Sequence, residues 1–110
     1  MWKPDPATII TTEQKAAQAQ TALIERFRMA VQAHVDATAQ SQRYDSGNSL
    51  ASYVASTNAT WAAEAQAFVA WRDAVWVYAY AELDKVLAGE REQPTVEGFI
   101  GELDPMMWPD

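Results

Sequence analysis

His34 is the only histidine of the chain, and there is no cysteine to join it. Without a second imidazole or a thiol, neither a Ser-His or Cys-His pair nor a metal set with zinc-type ligand spacing can be assembled. His34 falls inside the apolar stripe of an amphipathic stretch, where a lone histidine reads as a packed, hydrogen-bonded residue. The carboxylates Glu64, Asp73, Glu82 and Asp84 are the remaining candidates for acid/base work. On an Ala-rich helix they read instead as a solvated face. No Gly-rich phosphate loop, His-Glu zinc spacing or nucleophile elbow occurs. The expectation is a chain that is not an enzyme, with no catalytic residue, cofactor or metal.

Arg72 has the least ordinary setting, with Phe68, Val75 and Trp76 about one helical turn away. Its stem is expected to pack while its guanidinium snorkels or stacks on Trp76. A counter-ion would come from Asp45, the tail or a partner.

The stretch from Ser49 to Leu83 positions most of the aromatic residues, holding three of the five Trp and three of the four Tyr. From Asn58 it is Ala-rich, with no Gly or Pro until Gly89, which predicts a helix over 58–88. At about 100° per residue, Phe68, Trp71, Val75 and Tyr78 form one stripe. Val69, Trp76, Tyr80, Leu83 and Leu87 form a second, roughly 120–140° away. One facing helix covers only one of them.

The facing helix is expected over 11–41. Thr11 caps it, and Gln14 reaches back to complete a capping box. Its stripe is Leu23, Phe27, Val31, His34 and Thr38, broadened by Ile24 and Val35. Turn formers from Gln42 to Asn48 break the chain, with Asp45 or Ser46 as the next cap. A short helix over 49–55 presents Leu50, Tyr53 and Val54, and Thr57 or Asn58 restarts the chain. Gly89 takes the position after the long helix ends. Glu90 to Gln93 reads as a solvated link, 95–103 as a short helix capped by Thr95, and 104–110 as a tail. Residues 1–10, with Pro4 and Pro6, read as an extended arm, with Trp2 as an anchor and Ile9 and Ile10 needing support.

These elements make one all-α domain, an antiparallel hairpin of two long helices with two short helices added. The second stripe must be covered by the connector, the tail or another chain. Met106, Met107 and Trp108 either fold back or insert into a partner.

A formal charge of −7 and a pI near 4.5 leave no basic patch for a phosphate backbone. No nucleic-acid partner is therefore expected. The longest apolar run, Ala74 to Ala81, is too short to span a bilayer, and Met1 to Pro6 has no apolar segment of a signal sequence. A soluble protein with no membrane partner, intracellular while it is made, is expected.

Tyr44-Asp45-Ser46, Ser52-Tyr53, the segment Ala63-Glu64-Ala65-Gln66-Ala67-Phe68-Val69-Ala70-Trp71-Arg72-Asp73-Ala74-Val75-Trp76, Pro94-Thr95-Val96-Glu97, Glu102-Leu103-Asp104-Pro105 and Trp108-Pro109 together resemble a family of small proteins from tailed-phage and prophage tail modules. Such proteins are described as tail or tail-fibre-associated. The resemblance runs from Tyr44 to Pro109 and is most specific from Glu64 to Trp76. The ending Asp104-Pro105-Met106-Met107-Trp108 departs from the smoother Leu-Pro ending of the pattern.

The resemblance implies a noncatalytic, chaperone-like partner of a tail-fibre or tail protein in the host cytoplasm during assembly. The alternatives are a structural connector retained in the virion tail, self-associating as a homo-oligomer, and an acidic regulator binding a host protein. The residues expected to contact protein are Tyr53, Trp71, Arg72, Trp76, Tyr80, Met106, Met107 and Trp108.

Overall fold

The structure, a computed structural model, describes residues 11–110. The expected extended arm over 1–10, with Trp2, Ile9 and Ile10, lies outside the described residues. Among the described residues four helices follow one another: α1 (Thr12–Ser41), α2 (Gly47–Ala51), α3 (Ala59–Leu87) and α4 (Val96–Gly101). The fold is all-α, with α1 and α3 forming the hairpin. Helix α2 packs on both long helices where the chain turns, and α4 packs on α1.

Each helix starts where a side chain can satisfy an amide that the first turn leaves unpaired. Thr11 Oγ1 accepts from Gln14 N–H at 3.1 Å, and Gln14 Oε1 accepts from Thr11 N–H at 3.0 Å, which completes the expected capping box. Ser46, Asn58 and Thr95 cap the other three. The two long helices also end alike. After α1, Tyr44 N–H reaches Ala39 O and Arg43 N–H reaches Gln40 O. After α3, Glu90 N–H reaches Lys85 O and Gly89 N–H reaches Val86 O. Both are Schellman closures and need a left-handed residue. Gly89 supplies it at φ 76°, but at the end of α1 the residue is Arg43 at φ 73°. Left-handed backbone costs a residue with a Cβ about 1–2 kcal/mol.

The core is Phe27, Val31, Val35 and Ala39 of α1, Leu50 of α2, Ala65, Phe68, Val75, Ala79 and Leu83 of α3, Phe99 of α4 and Leu103 just beyond it. Alanines on both long helices keep their axes close. Phe99 meets Phe27 edge-on, with centroids 5.3 Å apart, so α4 fills the gap beside α1. At the turn, Asp36 Oδ1 accepts Gly47 N–H at 2.9 Å. A Cβ at Gly47 would lie 3.1 Å from Val35 and 3.3 Å from Phe68, so the missing side chain lets α2 settle between the long helices.

The short helices differ from expectation. Helix α2 spans Gly47–Ala51 rather than 49–55 because Ser46, one of the two cap candidates, starts it directly, and Ser52 to Ala55 form turns. Helix α4 spans Val96–Gly101 and stops short of 103. The first helix is also less enclosed than its length suggests. Residues 11–22 are exposed throughout, and packing begins at Leu23. Ala, Gln and Thr dominate that segment and offer no apolar stripe, so its helicity rests on propensity, its cap and continuity with the packed turns.

Candidate partner-binding surface

Helix α3 presents aromatic residues in two directions, and the rest of the chain treats the two flanks differently. Along the first stripe, Phe68 and Val75 are buried, with Trp71 and Tyr78 partly buried against them. The C-terminal segment lies along this side. Trp71 Nε1 donates to Asp104 O at 2.7 Å, and its ring lies 5.8 Å from His34 and 5.7 Å from Phe68. Trp108 stacks parallel to Phe68 at 6.4 Å, and Met106 packs on the core. The tail has therefore folded back, and Trp71, Met106 and Trp108 make internal contacts. Of the three large apolar residues of the tail, Met107 alone stays free, at 79% exposure.

Charge fixes the same flank further along. Arg91 bridges Glu82, at 3.1 Å, and Glu102, while its guanidinium lies 5.7 Å from the centre of the Phe99 ring. Tyr78 Oη donates to Glu102 Oε1 at 2.6 Å. Arg91 first and Tyr78 second hold the Glu102 carboxyl below its ordinary range. Lys85 first, then Arg91, do the same for Glu82. Accepting that hydrogen bond, Glu102 in turn raises the Tyr78 phenol. The segment Glu90 to Gln93 is thus not merely a solvated link, because Arg91 ties α3 to the residues after α4. Glu82 likewise is no member of a solvated face.

The second stripe is only partly covered. Leu83, expected there, belongs to the core, because it continues the line through Val75 and Ala79. Trp76 is half-buried and stacks on Tyr80 with centroids 5.4 Å apart. Tyr80 is 47% exposed, and Val77 and Leu87 are exposed around it. The Tyr80 hydroxyl first, and Glu25 second, raise the Arg28 guanidinium of α1 above its ordinary value, so this flank borders α1.

Arg72 corrects its expectation. Its Nε and Nη2 donate to Asp73 Oδ1 at 3.1 and 3.0 Å, so the counter-ion is the next residue in sequence. The Arg72 side chain is 30% exposed and that of Asp73 62%, so the stem packs and the guanidinium reaches a solvent-facing acid, as a snorkelling arginine does.

A third region lies at the closed end of the hairpin. Ser41, Gln42, Arg43, Tyr44, Tyr53, Trp61 and Glu64 line an open hollow of about 500 Å³. Tyr53, expected as a contact residue, sits between Tyr44 at 5.6 Å and Trp61 at 5.7 Å. Glu64 was expected on a solvated face but is 9% exposed, because Gln42 Nε2 donates to its Oε2 at 2.6 Å across the hairpin. Tyr44, Trp61 and Glu64 were missed as candidates. The spacing Trp61, Glu64, Phe68 was a usable signal, since it places all three on neighbouring turns of one helix face.

The expected contact residues therefore divide. Trp76 and Tyr80 share one flank, Tyr53 belongs to the hollow, Arg72 pairs with Asp73, Met107 is exposed, and Trp71, Met106 and Trp108 are occupied within the chain. Among the described residues, no group of three His, Asp or Glu side chains is placed to hold a metal ion. No described helix is long and apolar enough to cross a membrane. These surfaces offer aromatic rings and, at Glu64, an enclosed carboxylate. Comparisons with models of known families, with characterised proteins and with solved structures found no match.

Proposed function

We propose that this chain is a noncatalytic binding protein of phage tail assembly, a chaperone-like partner that holds a tail-fibre or tail protein in the host cytoplasm through the open flank of α3. The observation that carries the binding role is the contrast within one helix. Its own C-terminus covers the Trp71 side, while Trp76, Val77, Tyr80 and Leu87 are left half-buried or exposed. Aromatic anchors on an otherwise acidic, soluble exterior suit reversible capture of an apolar patch. The phage-tail setting comes from the resemblance carried by Glu64 to Trp76.

Coexpression with the product of a neighbouring tail-fibre gene tests the reading. The two proteins are expected to copurify at fixed stoichiometry, and Tyr80→Ser with Trp76→Ala to abolish that. Copurification unaffected by both substitutions would remove this flank from the interface. Mass spectrometry of finished particles then separates a departing assembly factor, absent from them, from a retained connector present in constant copy number.

A further inference from the structure

We infer that the hollow at the closed end of the hairpin is a second recognition site, which receives a lysine or arginine side chain from the partner polypeptide. The inference deepens the binding role proposed above and rests on it for the source of that side chain.

Three observations converge. Glu64 is nine-tenths buried, and its side-chain partner is the neutral amide of Gln42. No lysine or arginine lies within salt-bridge distance of it among the described residues. A carboxylate in that setting gains from a cation that brings hydrogen-bond donors. The Tyr44 hydroxyl is buried in the same wall and makes no hydrogen bond of ordinary geometry among the described residues. It lies close enough to Glu64 that burial first, and that carboxylate second, push the phenol above its ordinary value. The wall also carries three aromatic rings, Tyr44, Tyr53 and Trp61, packed in series. Ring faces around a carboxylate favour an alkylammonium or guanidinium group over a neutral or anionic one.

Arg43 lines the same hollow. It is placed there by a left-handed backbone that glycine would adopt more easily, as Gly89 does at the equivalent point after α3. It is exposed, and its positive charge at the opening works against an incoming cation, so the selectivity comes from Glu64 and the rings. The volume of about 500 Å³ suits one long side chain with part of its backbone.

The test uses the full chain and blocked amino acids. N-acetyl-lysine methylamide and N-acetyl-arginine methylamide are titrated while the ring proton shifts of Trp61, Tyr44 and Tyr53 are followed by NMR. The isosteric norleucine derivative and N-acetyl-glutamate methylamide serve as neutral and anionic controls. The cationic probes are expected to shift these signals saturably, and the controls to leave them unchanged. Glu64→Gln, which keeps the Gln42 contact, is expected to weaken binding at least tenfold. Trp61→Ala, at a position 48% exposed and outside the core, is expected to weaken it several-fold with the fold intact. Arg43→Gly is expected to retain cation binding. Equal binding of norleucine, indifference to Glu64→Gln, or loss of binding in Arg43→Gly with the glutamate probe preferred would each overturn the inference. Because these probes need no partner, failure here leaves the copurification result standing. Failure of copurification with cation binding intact would instead remove only the polypeptide source.

Discussion

The two flanks of α3 begin with similar materials and meet different fates. On one, Trp71 and Tyr78 point toward the C-terminal segment, which accepts a hydrogen bond from each, at Asp104 O and Glu102 Oε1. On the other, Trp76 and Tyr80 stack on each other and border Arg28. Indole and phenol carry both a large apolar face and a polar edge, so either flank would gain from a cover. The C-terminal segment covers one of them. The hairpin thus shows how a small domain divides its aromatic surface between holding itself together and remaining available.

The sharpest way to break the comparison is to remove the wedge that makes the covered flank possible. Phe99 is fully buried and touches Phe27, Tyr78 and Arg91. Phe99→Ala is expected to cost about 3–5 kcal/mol in urea unfolding, through lost burial and the cavity left behind. It should also free the tail, so Trp71 and Trp108 emission shifts to the red before global unfolding. A loss under about 1 kcal/mol would mean that α4 is an ornament on a hairpin stable without it.

A smaller effect is expected from Trp71→Phe, which keeps a ring against Phe68 and deletes the donor to Asp104 O. Its cost is about 0.5–1.5 kcal/mol, the net worth of one hydrogen bond plus the smaller ring. Hydrogen exchange should show the change at residues 103–108 and not at α2.

Smaller still is the charge contribution on the same flank. Glu102 and Glu82 have folded carboxyls held below their ordinary range by Arg91, Tyr78 and Lys85. Their stabilisation is therefore complete above the ordinary carboxylate value of about 4.3 and is lost as pH falls below it. The Glu102 side chain is about a third exposed, so solvent screening limits the effect of Glu102→Gln to about 1 kcal/mol at neutral pH. Thermal unfolding of both proteins from pH 7 downward should show their difference shrinking toward zero below about pH 4. A difference independent of pH would mean that shape, not charge, holds this corner.

The hairpin itself was legible because its determinants are local. The Thr11 and Gln14 capping box, the Asn58 cap and Gly89 are read within a few residues of where they act. The two-stripe geometry of α3 followed from helical periodicity, apart from Leu83, which lies near the boundary between stripes and joins the buried line of Val75 and Ala79. Arg72 was misjudged because periodicity gives a direction and no partner; an adjacent Asp73 sufficed. Arg91 and Glu102 meet across 11 residues, and Gln42 and Glu64 across 22. Such pairings depend on where loops return, which no local pattern encodes. The hollow at the closed end was illegible for the same reason: Tyr44, Tyr53 and Trp61 come from three different elements.

The smallest stability effect should come from the open flank, and it is the most telling for function. Tyr80 lies outside the core, is about half exposed, and its principal contact is the face of Trp76. Tyr80→Ser removes that face and the hydroxyl beside Arg28, and is expected to change the unfolding free energy by about 0.5 kcal/mol or less. If the flank is kept for a partner, the same substitution should cost far more in binding, because a half-exposed aromatic has most of its burial still to gain. The two measurements together are decisive. A stability loss of several kcal/mol would show that Trp76 and Tyr80 hold up the hairpin just as Trp71 does, and the flanks would then differ in degree rather than in kind.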